Sequence, residues 1–273
     1  MRQAKLEPDV ISTSAGISAC EKGGRWQHAL SLLREMGGAM LELNIVSYGA
    51  CTSACEKGGH WWEALFLIRE VEVSGLELNV VCCSAGISAC EKGGHWQQAL
   101  SLLSHMRSTQ LEPDEISFSA GISAYEKGGQ WQGALFLFKG MAEAKVKLNV
   151  VSLSAVVSAC EKGGEWQRAV ALLREMGQAV VELNVVSYSA GISACGKGRH
   201  WLQALSLLME MGENMLESDV ISCSASMSAC GESSKWQQTL LLLSDMGKKK
   251  VQSNVVSYAS GISACENGEV PLR

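Results

Sequence analysis

The chain has 273 residues, 47% of them apolar, with 23 basic against 28 acidic side chains and a formal net charge of -5. That apolar share can fill a continuous core, whereas the acidic balance withholds the bulk signature of a nucleic-acid binder. No run of 18 or more apolar residues occurs and no signal or transit peptide precedes the first element, so no membrane partner is expected.

Residues 1–9 read as the tail of a preceding partial repeat, since Met1 precedes Asp9 at the spacing by which Met36 precedes Asn44. The chain is therefore expected to be a piece of a longer protein. From Val10 the pattern predicts a first helix over roughly Ile11 to Glu21, a break at Lys22-Gly23-Gly24, and a second helix from Trp26 to Met36. Ala29, Leu30, Leu32, Leu33 and Met36 fall at offsets of three and four, one stripe of that second helix. The first helix is locally weak, because Ser12, Ser14, Gly16 and Ser18 are poor helix formers and it must be held by its neighbours. Its small residues admit close approach of either another helix or a ligand. The double glycine is expected to end the first helix and permit a tight reversal.

All of this then recurs. Tryptophan stands at Trp26, Trp61, Trp96, Trp131, Trp166, Trp201 and Trp236, 35 residues apart throughout. Such a period marks a stack of supersecondary units, none able to bury its apolar face alone. Seven complete units fill 10–254, and 255–273 holds a partial eighth and a tail. Each tryptophan opens a second helix beside the apolar stripe, so it is expected to staple helix to helix and not to stack on bases; Trp62 is extra and expected to be partly exposed.

Seven of the 11 cysteines share one repeat position (Cys20, Cys55, Cys90, Cys160, Cys195, Cys230, Cys265), where Tyr125 fills the missing place. A slot that accepts tyrosine is an apolar packing slot, and the set lacks the spacing of zinc sites. His28, His60, His95, His105 and His200 have no recurring carboxylate or cysteine to complete a ligand set, so neither metal nor cofactor is expected. No catalytic constellation is legible, no phosphate-binding glycine motif occurs, and no small-molecule substrate is expected. Function is expected on a surface repeated along the stack.

The register of the unit narrows the reading. It runs Asn184-Val185-Val186-Ser187-Tyr188-Ser189-Ala190-Gly191-Ile192-Ser193-Ala194-Cys195, then a Lys-Gly turn, then Trp201, Ala204, Leu205, Leu208 and Met211. Unit junctions read Glu7-Pro8-Asp9-Val10 and Glu112-Pro113-Asp114. This resembles the pentatricopeptide repeat family, in a pure array of 35-residue repeats, over residues 1–267; tetratricopeptide repeats usually keep a period of about 34 and fit less well. Repeat and resemblance together indicate the fold class: all-α, a right-handed α-solenoid of stacked helix-turn-helix repeats.

The resemblance implies that each repeat reads one base of a single-stranded RNA through a small residue of its first helix and its own last residue. Those pairs are Ser14 with Asn44, Gly49 with Asn79, Ser84 with Asp114, Ser119 with Asn149, Ser154 with Asn184, Ser189 with Asp219, and Ser224 with Asn254. The family's pairing of Ser/Asn with adenine and Ser/Asp with guanine implies the target A-N-G-A-A-G-A, with the second place open because Gly49 has no side chain. From the residues alone, Asn and Asp could equally be caps of the next helix, and both roles can coexist.

Two further rows carry implied roles. Ile11, Val46, Val81, Ile116, Val151, Val186 and Ile221 would sandwich the bases, their alternative being ordinary helix packing. Lys22, Lys57, Lys92, Lys127, Lys162 and Lys197 would contact phosphates, their alternative being solubility. Six such contacts imply a log K against log salt slope near about -4. Glu21, Glu56, Glu91, Glu126 and Glu161 adjoin the lysines and offset their field, and Glu232 and Asn267 replace lysine in the last units. The resemblance implies organellar RNA processing, stability or translation, in chloroplast or mitochondrion, with other RNA-processing proteins as further partners. The alternative is a protein-binding helical scaffold without RNA, which the negative charge, the glutamate row and an expected abundance of exposed serine favour.

Overall fold

The computed structural model describes residues 10–38, 43–178, 183–248 and 255–267. Among them the chain is all α-helical. The helices are α1 (Val10–Lys22), α2 (Trp26–Gly38), α3 (Ile45–Gly58), α4 (Trp61–Val73), α5 (Val80–Lys92), α6 (Trp96–Ser108), α7 (Glu115–Lys127), α8 (Trp131–Glu143), α9 (Val150–Lys162), α10 (Trp166–Gln178), α11 (Val185–Lys197), α12 (Trp201–Glu213), α13 (Val220–Glu232), α14 (Trp236–Lys248) and α15 (Val255–Asn267). The first and second helices predicted for the opening unit correspond to α1 and α2 within two residues at either end. The opening tail 1–9 and the end of the chain from 268 lie outside the described residues.

The packing divides the chain into two compact units, Met1–Gly128 with Glu143–Val146, and Gly129–Ala142 with Lys147–Arg273. Within each, an odd-numbered helix packs on the even-numbered helix that follows it and on the odd-numbered helices before and after it, the arrangement of an α-solenoid. The core of the first unit gathers Ile17, Met36, Tyr48, Cys51, Leu67 and Val71. In the second, Leu153, Leu173, Tyr188, Ile192, Leu207 and Met211 are fully enclosed.

The two helix classes are buried differently. α2 buries Ala29, Leu33 and Met36 along one stripe, whereas α5 buries every residue from Cys82 to Cys90. An enclosed helix must be small all round to let its neighbours approach, which accounts for the serines, alanines and glycines of the odd class. A methyl group on Gly86 would collide with Ile68 and stand 2.8 Å from Leu102 Cδ2, and one on Gly191 would collide with Leu173. Here close approach is made by another helix.

The double glycine does more than end a helix. Its second member carries the left-handed backbone of the reversal, with φ of 62° at Gly24, 75° at Gly59, 77° at Gly94, 67° at Gly129 and 74° at Gly164. Its first member is required by the preceding tryptophan: a methyl on Gly58, Gly93 or Gly128 would lie 2.7 Å from the rings of Trp26, Trp61 and Trp96 respectively. Several of the tryptophan rings also meet a side chain just after the next turn. Trp26–His60, Trp61–His95 and Trp166–His200 have centroids 3.7–3.8 Å apart, while Arg168 covers Trp131 at 4.8 Å and Lys235 covers Trp201 at 5.4 Å. The tryptophans therefore staple one hairpin to the next, and Trp62 stands 65% exposed.

The cysteines are free, and Cys55, Cys90, Cys160, Cys195 and Cys230 are buried in their common slot, with Cys20 and Cys265 half-buried. Burial pushes the thiol of Cys55 up to about 12 and those of Cys90, Cys160, Cys195 and Cys230 up to about 11.

Candidate nucleic-acid interface

Every odd helix from α3 to α13 begins one residue after an Asn or Asp whose side-chain oxygen accepts the backbone N–H three residues on. The pairs are Asn44–Ser47, Asn79–Cys82, Asp114–Ser117, Asn149–Ser152, Asn184–Ser187 and Asp219–Ser222, at 2.7–2.9 Å. The cap residues have extended backbones, as Asn44 does at φ -117° and ψ 159°. Capping is thus an observed role of these residues.

Capping also decides which atom is left. A backbone N–H can be met only by oxygen, so Oδ1 is committed to the helix end. What remains is Nδ2 of Asn, a donor, or Oδ2 of Asp, an acceptor. The two residue types are interchangeable as caps and opposite in the chemistry they retain.

In the fifth and sixth repeats the small residue of the implied pair lies against its cap. Ser154 Oγ lies 3.4 Å from Asn184 Oδ1, and Ser189 Oγ donates to Asp219 Oδ1 at 3.2 Å. Ser14 Oγ reaches Ser47 Oγ at 3.0 Å, the serine whose N–H Asn44 caps. Ser84 donates to the Val81 carbonyl at 3.2 Å. Ser119 lies half-buried on α7, and Asn149 caps α9. Ser224 is buried and meets Ser257 at 3.1 Å; its implied partner Asn254 lies outside the described residues.

A set of residues that spacing alone did not single out completes the edge. From α3 onward the serine at the third place of the odd helices (Ser47, Ser117, Ser152, Ser187, Ser222, Ser257) is buried, and its hydroxyl joins the cap network, whereas Ser12 of α1 is exposed. Ser117 and Ser187 donate to the cap Oδ1 at 2.8 and 2.7 Å, and Ser152 and Ser222 to the cap carbonyl at 2.9 and 3.0 Å. Their recurrence every 35 residues, broken only at Cys82, was the available signal. The serines of this edge are therefore largely enclosed, against the expectation of abundant exposed serine.

Ile11 on α1, and Val46, Val81, Ile116, Val151, Val186 and Ile221 beside the caps, are 56–80% exposed. They stand on the surface, outside the core, at the second residue of each odd helix. A recurring exposed β-branched residue is unusual in a helix whose other residues are enclosed.

The lysine row lies at the opposite end of the same helices and is already paired. Lys57, Lys92, Lys127 and Lys197 meet Glu21, Glu56, Glu91 and Glu161 of the preceding hairpin at 3.1, 2.8, 2.8 and 3.0 Å. The glutamates offset the lysines by direct contact across hairpins, a spacing of 36 residues. Lys22 and Lys162 are exposed at the ends of α1 and α9. Where Glu232 replaces the lysine, Arg199 of the preceding turn meets it at 3.3 Å, an ion pair made from a different repeat position. Among the described residues, no group of three or more His, Cys, Asp or Glu is placed to hold a metal.

Comparison with known proteins agrees with this architecture. Residues 66–127 and 136–198 match the pentatricopeptide repeat domain, and 17–39, 46–76, 116–146 and 186–216 match the PPR repeat. No curated protein matches the chain in sequence. Among solved structures, the pentatricopeptide repeat protein PPR10 in complex with an 18-nt psaJ RNA element is similar at a TM-score of 0.73 and 17% identity, over 96% of this chain and 38% of that one. PPR10 from maize has a TM-score of 0.56 at 21% identity, over 97% of this chain and 43% of that one. Nuclear proteinaceous RNase P 2 from A. thaliana has a TM-score of 0.55 at 12% identity, over 60% and 37%. The chain spans less than half the length of these structures. With repeats matched along most of its helices and the same fold in these structures, the chain belongs to the pentatricopeptide repeat family.

Proposed function

We propose that the chain binds single-stranded RNA at about one base per repeat along the edge of caps, serines and exposed valines and isoleucines, without chemistry of its own. Read from its N-terminus at the RNA 5′ end, it prefers A-N-G-A-A-G-A. The observation that carries this reading is the atom left over by each cap. Nδ2 of Asn44, Asn149 and Asn184 donates to the N1 acceptor of adenine; Oδ2 of Asp114 and Asp219 accepts from the N–H groups of guanine. The exposed β-branched row supplies apolar surface on which base faces rest, and the lysines supply phosphate contacts weakened by their carboxylate partners. The PPR10 structure in complex with RNA is in keeping with such a partner.

In an organelle such binding shields a transcript, holds it unfolded, or presents it to RNA-processing proteins. Exposed apolar side chains on the even helices favour a further protein contact: Trp62 and Phe66 lie one turn apart on α4, and Phe66 borders a groove of about 340 Å³ with Leu30, Leu33 and Leu67.

The test is binding of labelled AAGAAGA against UUCUUCU at low salt, with Asp114→Asn alongside. The expected result is preference for the purine strand, and a shift from G towards A at the third base in the mutant. A folded protein that binds neither strand would leave the Asn and Asp row as caps and nothing more.

A further inference from the structure

The second repeat departs from the other complete repeats at two places that touch. Where the others place serine at the fifth residue of the odd helix, α3 has Gly49; where the next helix begins with serine at its third residue, α5 has Cys82. A methyl group added to Gly49 would stand 3.4 Å from Cys82 Sγ, so the sulfur lies against the space a serine side chain would enter. Cys82 Sγ also faces the Ile45 carbonyl at 3.8 Å. In the fifth repeat the equivalent carbonyl, that of Val150, is taken by the Ser154 hydroxyl at 2.7 Å. The thiol thus fills the volume and approaches the carbonyl of the missing serine, while both hydroxyls are gone.

The loss matters because of what those hydroxyls do to the cap. In the fifth repeat Asn184 Oδ1 receives the Ser187 N–H at 2.8 Å and the Ser187 hydroxyl at 2.7 Å, and Ser154 Oγ, its proton on the Val150 carbonyl, backs Ser187 Oγ at 3.0 Å. With every lone pair engaged, Oδ1 has none for a base, and Nδ2 is held in one direction. In the second repeat, among the described residues, Asn79 Oδ1 receives the Cys82 N–H alone, at 2.9 Å. One lone pair stays open, so this amide offers a base both an acceptor and a donor, and one hydrogen bond in place of two restrains its torsion.

We propose that Ser187, backed by Ser154, is a positioning pair that makes the cap residue Asn184 discriminate, and that the Gly49/Cys82 exchange makes the second slot accept any base. This deepens the RNA-binding reading and rests on it. The pair acts through the cap residue, so its signature is a change of preference at one slot with the other slots unmoved. A purely structural role would weaken binding to all strands alike.

The experiment measures binding of the whole chain to four strands of the AAGAAGA series differing only at the second base, and four differing only at the fifth. Wild-type protein is expected to be level across the second-base series, within about twofold, and to favour A by about tenfold at the fifth, one charge-free hydrogen bond's worth. Gly49→Ser with Cys82→Ser is expected to create an A preference at the second base. Ser154→Gly with Ser187→Cys, the reverse exchange, is expected to level the fifth and leave the third, with its G preference, intact. Because that exchange already occurs in the second repeat, it is compatible with folding. Purine-strand binding with an A preference at the second base of the wild type, or an unmoved fifth base in the reverse variant, overturns the positioning pair alone. Failure of the folded wild type to bind any strand overturns the RNA reading, and the pair with it.

Discussion

The two ends of the odd-numbered helices are made from the same modest residues and behave differently. At the N-terminal end, a cap consumes one of two side-chain atoms and the neighbouring Val or Ile is left outside the core. At the C-terminal end, glycine is covered by tryptophan, cysteine is enclosed, and lysine meets glutamate. The first end varies between Asn and Asp from repeat to repeat; the second repeats nearly one solution and, at Glu232, finds an ion pair with Arg199 of the preceding turn. Variation confined to atoms that folding leaves over is what a reading surface requires, and constancy among groups that folding uses is what a scaffold requires.

The closed end is broken most severely by alkali. The buried thiols hold their protons up to about 11 or 12, whereas an unfolded cysteine ionises near 9, so above pH 9 the unfolded chain sheds protons that the folded chain keeps. Stability is therefore complete below pH 9 and declines as pH rises through the folded values, by about 1 kcal/mol per thiol per pH unit. Denaturant titrations from pH 7 to pH 10.5 should show this decline, and at pH 8 a thiol reagent should label Cys20 and Cys265 well ahead of the enclosed cysteines.

A smaller break tests the staple. Gly163→Ala drives a methyl into Trp131, whose Cγ would lie 2.8 Å away, and should cost about 1–3 kcal/mol in chemical denaturation. Loss no greater than that of a surface substitution would show the ring free to move aside. The open end is sharpened by Val186→Ala. Truncating a side chain 58% exposed should leave stability within about 0.5 kcal/mol, yet weaken binding of the purine strand about fivefold by removing a methyl-lined base contact. Equal effects on stability and binding would mean that this valine belongs to the scaffold.

The smallest effect concerns the lysines. Exposed ion pairs contribute little to stability, so Glu56→Gln with Glu91→Gln should change it by less than about 1 kcal/mol. The same pair of changes releases Lys92 and Lys127 for phosphate, and should steepen a salt dependence that in the wild type is shallower than the slope of about -4 expected from six unpaired lysines. An unchanged slope would separate the lysine row from RNA altogether.

Much of this is legible in the sequence. Helix positions followed from Trp26, the Lys-Gly-Gly break and the stripe of α2, because an amphipathic helix writes its period into the chain. The odd helices carried no such stripe, since a helix enclosed on nearly all sides has no polar face to alternate with an apolar one. For the same reason the third-place serines passed as weak helix formers, although their hydroxyls complete the cap network. The pairing of Lys92 with Glu56 was hidden by a separation of 36 residues: adjacent Glu and Lys in sequence suggested local cancellation, whereas the contact runs between hairpins.

By itself the sequence determined the repeat, the helical hairpin and the row of Asn and Asp, because periodicity and capping preference are local properties of the chain. Tertiary structure alone decided which atoms of that row remain for a ligand, which glycine serves a backbone turn and which a ring, and that valine at the second place faces outward. Those are questions of what one hairpin leaves uncovered on the next, and only stacked hairpins answer them.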